Sequence, residues 1–258
     1  MTGLARVYLG LVLAFLYVPI ALMAVMAFNA SPLYALPIDW SGRWFVALAG
    51  NDGLQQATIN SLAIAVATAA VATAIGTPAA LALHRRRFRG RTLLQILLLP
   101  PITIPWLIVG TAMLIFFFWT GIGRGLHAVL IGHVALALPY VVVIVGTRLT
   151  RHGAELEEAA AILGATPIQA FFRVTVPVIA PGLVAAALFA FAVSFDQFVI
   201  SYFLSSPGMQ TLPVAIYSAI RKGFTPEINA VSTLVIVFSM VLLLAVSRWW
   251  RFSGEDQG

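Results

Sequence analysis

The chain has 258 residues, 61% of them hydrophobic and 9% charged, with a mean hydropathy of +0.98. Ordinary soluble domains carry about 25% charged residues, so the composition excludes a globular domain with one anchor and predicts a polytopic membrane protein. The net charge of +6 does not indicate nucleic-acid binding, because the basic residues sit between apolar runs, and the absence of cysteine excludes disulfides, thiolate nucleophiles and Cys-ligated metals.

A helix crosses roughly 30 Å of hydrocarbon with about 20 apolar residues. On that measure six spans are predicted, at about 5–28, 57–83, 92–119, 126–148, 178–204 and 229–249. The runs are continuous rather than alternating, which favours helices over barrel strands. The first run is longer than the 7–15 residues, roughly, of a signal h-region and has no small-x-small cleavage site after it, so it is expected to remain as a span. Pro19, Pro78, Pro100, Pro101, Pro105 and Pro139 predict kinks or breaks in the spans that hold them.

Six spans put both termini on one side. With that side cytoplasmic, Arg6, the group Arg85, Arg86, Arg87, Arg89 and Arg91, then Arg148, Arg151, Arg173, Arg248 and Arg251 are inside. Only Arg43, Arg124, Arg221 and Lys222 are outside. The positive-inside rule therefore predicts cytoplasmic N and C termini, and residues 1–258 are read as a single transmembrane domain. The run from His84 to Arg91 reads as a topology anchor against anionic lipid headgroups.

No phosphate loop of the G-x-x-x-x-G-K-[ST] type is present, and Lys222 is the only lysine. His84, His127, His133 and His152 lack metal-ligand spacing. No catalytic residue, cofactor or metal is therefore assigned to this chain.

Between spans four and five, about 150–177, lies the one long polar stretch on the inner side. It predicts a short helix, a turn and a second short helix. Leu156, Ala159, Ala160 and Leu163 recur at helical spacing, with Glu155 and Glu158 on another face. Gly164 is placed to end the first helix in a left-handed conformation. Thr166 fits an N-cap with Pro167 at the first helical position, and Pro177 and Pro181 mark the entry to span five. Such a knuckle suits either docking to a partner or a connector lying on the membrane surface.

The stretch Glu158-Ala159-Ala160, three residues, Gly164, nine residues, Val174-Thr175-Val176-Pro177 resembles the EAA loop of binding-protein-dependent ABC importer permeases. Its pattern is E-A-A-x3-G-x9-I-x-L-P, from which Val174 and Val176 depart conservatively. Tyr17-Val18-Pro19-Ile20, Phe28-Asn29 and Leu99-Pro100-Pro101 with Pro105 are similar to the same family. Ser194 to Ser201, Thr211-Leu212-Pro213-Val214, Ile216-Tyr217-Ser218 and the segment from Pro226 to Thr233 resemble its spermidine/putrescine-type members. Many of those have a second acid where Gln197 stands. The resemblance implies an all-α fold of the type I, MetI-like permease kind in the bacterial inner membrane. It also implies a coupling role for Glu155, Glu158, Ala159, Ala160, Gly164, Ala165, Pro167 and Pro177. The partners it implies are a second, related permease, two cytoplasmic ATPase subunits that bind ATP and Mg, and a periplasmic solute-binding protein. Membrane lipid surrounds the assembly; nucleic acid has no part in it. Polyamine or a related small organic amine is the first solute, with an amino-acid-like compound or oxyanion as alternative. A stand-alone secondary transporter predicts inverted repeats and several intramembrane charges, which the sequence does not display.

Asp196 is the one acidic residue within a predicted span. An intramembrane carboxylate costs roughly 2.5–3.5 kcal/mol at mid-bilayer and so faces a cavity or a partner. Ser194, Gln197, Ser201 and Ser205 share one helical stripe, and Asp196 sits about 100° from it on a regular helix. Only one of the two faces can line a narrow path. Ser194, Asp196, Gln197, Ser201, Tyr202 and Tyr217 are the candidate path residues; the tyrosines fit either cation–π contacts with an amine or interfacial anchors.

Overall fold

The structure, a computed structural model, describes residues 3–32, 35–98, 100–151, 155–223 and 227–254. Leu99, His152 and Pro226 lie outside the described residues. In chain order the helices are α1 (Gly3–Met26), α2 (Arg43–Ala49), α3 (Asp52–Arg85), α4 (Arg91–Leu97), α5 (Pro100–Thr103), α6 (Trp106–Trp119) and α7 (Leu126–Arg151). Then follow α8 (Glu155–Ile162), α9 (Pro167–Ala170), a π-helical turn (Phe171–Thr175), α10 (Val176–Phe195), α11 (Val199–Leu204), α12 (Leu212–Lys222) and α13 (Glu227–Gly254). Among the described residues, extended pairing is limited to one bridge between Asn29 and Trp40.

The chain divides into two compact units, Met1–Gln55 with Ala215–Gly258, and Gln56–Val214. In the first, α13 packs against α1 and α2, with Ala27, Trp44 and Ala230 as its small core. Asn29 organises the connection after α1. Its carbonyl accepts from Trp44 Nε1 at 2.7 Å, its side-chain oxygen from Ser31 N at 3.1 Å, and its amide donates to the Ala35 carbonyl at 3.0 Å. The Asn29 of the family-like Phe28-Asn29 pair is thus a fully buried brace. Along α1 no residue is buried, which leaves an apolar cylinder for lipid or another subunit.

The second unit is built round α7, which packs against α5, α6, α10 and α11. Two apolar clusters share it. One joins Ala72, Ala80 and Leu83 of α3 to Val141 and Val145 of α7 and to Ile179, Ala186 and Ala190 of α10. The other joins Ile64 of α3 and Phe117 of α6 to Val129 and Leu136 of α7 and to Ile200 and Leu204 of α11. Lipid-embedded helices gain little from apolar burial as such, so association rests on close packing of small residues. Gly132 shows this directly. A Cβ there would meet Ile200 at 2.7 Å and Leu204 at 2.9 Å, so only glycine lets α11 lie this close to α7.

Among the described residues, four helices are long and apolar enough to cross a membrane: Gly3–Met26, Asp52–Arg85, Leu126–Thr150 and the run Pro167–Phe195. The predicted third span is instead a bent pair, Arg91–Thr103 and Trp106–Trp119, at 109°. Pro105 causes the break: it stands outside α6 at its N-cap and pushes Ile104 out of helical geometry. In α13 the apolar helix among the described residues is Glu227–Val241.

Span five departs from the expected boundaries at both ends. Its helical run begins at Pro167, not near Val178, because the second loop helix continues into it through the π turn. The wider turn stands just before Pro177, whose missing N–H cannot bond the Arg173 carbonyl one α-turn back. At the other end the run stops at Phe195, and α11 starts afresh at Val199. No proline or glycine lies at this break. Gln197 makes it, its side-chain oxygen accepting from Val199 N at 3.1 Å.

Candidate functional site

At the basic end of α3, the expected loop geometry is present. Gly164 has φ +87°, and Thr166 caps α9 in a full capping box with Gln169 and Pro167 at the first position. The chain leaves this turn bare. Ile162 is 86% and Leu163 87% exposed, and Leu156, Ile168 and Phe172 are exposed as well. Glu155, Glu158, Ala159, Gly164, Pro167 and Pro177 are all exposed, with Ala160 and Ala165 partly so. A polar segment of the chain thus carries a large uncovered apolar surface.

One carboxylate in the segment turns inward, and it is Glu157. It forms an ion pair with Arg85 at the end of α3 and accepts a hydrogen bond from the Thr175 hydroxyl in the π turn. Beside this pair opens a cleft of about 970 Å³, lined by Arg86 and Arg87, Glu158, Ala161 and Phe171 among others.

In the body of the second unit, buried polar side chains of α3, α7, α10 and α11 meet. His133 of α7 binds Ser194 Oγ through Nδ1 at 2.8 Å and Ser201 Oγ through Nε2 at 3.0 Å. Ser194 in turn donates to Thr68 Oγ1 of α3 at 3.2 Å. His133 thus bridges Ser194 and Ser201 through its two ring nitrogens. Ser194 and Ser201 stand on either side of the span-five break, so His133 staples α10 to α11. Ser205 continues the stripe, donating to the Ser201 carbonyl at 2.5 Å.

Ser194, Gln197 and Ser201 are therefore buried within this chain, where Ser194 and Ser201 brace helices against one another. Gln197 is 2% exposed, and its Nε2 has no partner among the described residues. Asp196 points the other way. It is exposed, and its carboxylate has no hydrogen bond or ion pair among the described residues. Tyr202, 40% exposed, stacks near Phe198 and Phe203 with ring centroids at 5.5 and 5.8 Å. Tyr217 belongs to the first unit and already has a cation, Arg221, 5.9 Å from its ring centroid. The resemblance at Thr211 to Val214 has a structural basis, since Leu212 N donates to Ser61 Oγ at 2.7 Å and Asn60 reaches the Gln210 carbonyl at 3.0 Å.

Glu157, Arg85 and His133 are the residues that sequence reasoning passed over. The equal spacing of Ser194 and Ser201 by two helical turns was a signal for a shared partner such as His133. Nothing local singles out Glu157 from its neighbours Glu155 and Glu158.

The chain belongs to the family of binding-protein-dependent transport system inner membrane components, which its residues 72–252 match. It is 37% identical to the putrescine transport system permease protein PotI of Escherichia coli (strain K12), over 94% of this chain and 88% of that one. To the spermidine/putrescine transport system permease protein PotC of the same strain it is 35% identical, over 92% and 90%. The molybdenum transport system permease protein ModB of Mycobacterium bovis is 33% identical over 87% and 90%. In fold it is similar to a bacterial ABC transporter involved in the import of the acidic polysaccharide alginate, with a TM-score of 0.73 at 16% identity over 95% of both chains. It is also similar to the MetNI methionine ABC transporter, at 0.64 and 21% over 77% of this chain and 94% of that one. The chain is an ABC importer permease of the inner membrane.

Proposed function

We propose that the chain forms half of the pathway of a polyamine importer, with a related but different permease as the other half. A periplasmic binding protein delivers the solute to the outer face, and two ATPase subunits grip the coupling segments of the two permeases. Six spans with both termini in the cytoplasm put the basic end of α3 and the segment from Glu155 to Pro177 on the ATPase side.

The similarity to putrescine and spermidine permeases supports the solute class, and Asp196 carries the argument at the level of chemistry. An exposed carboxylate within an apolar span is tolerated where it faces water, a cation or a partner subunit. A cationic amine crossing the dimer would supply the missing charge. Gln197, where many polyamine-type relatives have a second acid, is buried here and accepts from Val199 N at the start of α11. Its exchange for an amide leaves the exposed acid untouched.

Gentle extraction of the tagged chain followed by mass spectrometry is expected to recover an ATPase and a second permease. The reconstituted complex with its binding protein should then take up labelled putrescine or spermidine only with ATP. Transport by the isolated chain in liposomes without ATP would overturn the importer reading. ATP-driven uptake of an oxyanion but of neither amine would favour the alternative that similarity to a molybdenum permease keeps open.

A further inference from the structure

The coupling segment is attached to the rest of the bundle unevenly. Helix α8 packs against α9 and the π turn, which are its own continuation along the chain. Towards α3 it faces the open cleft of about 970 Å³. A helix pushed from outside would tend to close such a cleft before moving anything beyond it. The Arg85–Glu157 ion pair stands across that gap. On its other side lies a small void lined by Leu156, Val174, Thr175 and Ile179. Glu157 thus reaches two elements at once: α3 through Arg85, and the base of span five through the 2%-exposed Thr175 hydroxyl. The element it meets there is a π turn, a local widening of the helix often found where helices bend in function.

We propose that Glu157 is a positioning residue that struts α8 against α3 and the π turn, so that displacement of the coupling segment moves both spans together instead of collapsing the cleft. This rests on the importer reading above, in which an ATPase moves α8. Glu157 directly precedes the glutamate of the E-A-A motif and differs from it in its contacts: Glu158 is exposed and lines the cleft, whereas Glu157 is tied to Arg85 and Thr175. The partly buried pair, with side chains 18% and 31% exposed, is of the kind in which loss of one partner leaves a charge uncompensated. Removing one member should therefore do more than a surface substitution.

The test uses the complete importer in proteoliposomes, with spin labels at Ala82 of α3 and Ala161 of α8, which both line the cleft. The chain has no cysteine, so introduced cysteines are its only labelled sites. With Glu157 present, the label distance should stay narrow and equal in the nucleotide-free and vanadate-trapped states. In Glu157→Gln the distribution should broaden and shift between states, and amine uptake per ATP hydrolysed should fall about fivefold, within the range of coupling changes seen for contact-network substitutions. ATPase association should persist. Reversing the pair, Arg85→Glu with Glu157→Arg, should recover at least half of that ratio, while either reversal alone should not. Unchanged distances and ratio in Glu157→Gln, a double reversal no better than the single ones, or loss of the ATPase subunit from Glu157→Gln would each overturn the strut. If the unaltered importer takes up neither putrescine nor spermidine, the solute reading falls, and the label distances alone decide the role of Glu157.

Discussion

At the residue scale, the break in span five separates two neighbours into opposite duties. Gln197 turns into the chain and accepts from Val199 N at the start of α11, while Asp196 is left on the surface. Asp196→Asn keeps the shape and removes the charge. A hydrogen bond to a charged group is worth about 1.5–3 kcal/mol, so KM for a dicationic amine should rise roughly ten- to a hundredfold with the assembled complex intact. Uptake kinetics in proteoliposomes check this, and unchanged kinetics would return Asp196 to a contact with the second permease. Part of this geometry was legible from the sequence. The separation of Asp196 from the serine stripe follows from helical periodicity alone. Which face turns inward does not, because that depends on His133, 61 residues from Ser194 and 68 from Ser201. A buried polar layer declares itself only when its members are brought together.

At the scale of elements, the coupling turn was the most legible part of the molecule, since its signals are local. Gly164 ends α8 and Thr166 with Pro167 starts α9 through backbone rules that need no tertiary partner. The continuation of α9 into span five was not legible: Pro177 reads as a boundary, yet the π turn carries the helix past it. Breaks likewise divided by cause. The bend at Pro105 has a sequence signature, whereas the break after Phe195 depends on a glutamine side chain reaching the backbone. Gly164 offers the sharpest test of the turn. A Cβ there meets nothing within 4 Å of its own chain, and its positive φ costs an L-residue roughly 1–2 kcal/mol. Asp is among the residues that tolerate this conformation best, so Gly164→Asp should leave the chain inserted and folded. Uptake and ATPase association should nonetheless be lost, because the added carboxylate projects into the docking face. Co-purification measures the association; normal uptake in this variant would reduce the turn to a connector.

At the scale of the whole molecule, the chain is folded but not finished. Helix α1 buries none of its residues, and the coupling end exposes Ile162, Leu163, Ile168 and Phe172. A lipid surface can cover α1, but the coupling end also carries Glu155 and Glu158 on its exposed side, which suits a protein partner better than hydrocarbon. This distinction turns into a measurement at Leu163. With 87% of its surface exposed, it contributes almost nothing to the chain's own packing, and surface substitutions away from special features stay within about 0.5 kcal/mol. Leu163→Ser should therefore leave the melting temperature of the detergent-solubilised chain unchanged. An apolar side chain of this size, fully buried in an interface, contributes roughly 1.5–3 kcal/mol. The same substitution should accordingly weaken ATPase association about ten- to a hundredfold. Loss of association without loss of stability places the missing cover on the ATPase. Wild-type association together with weakened binding of the chain to anionic vesicles would place it on the membrane surface.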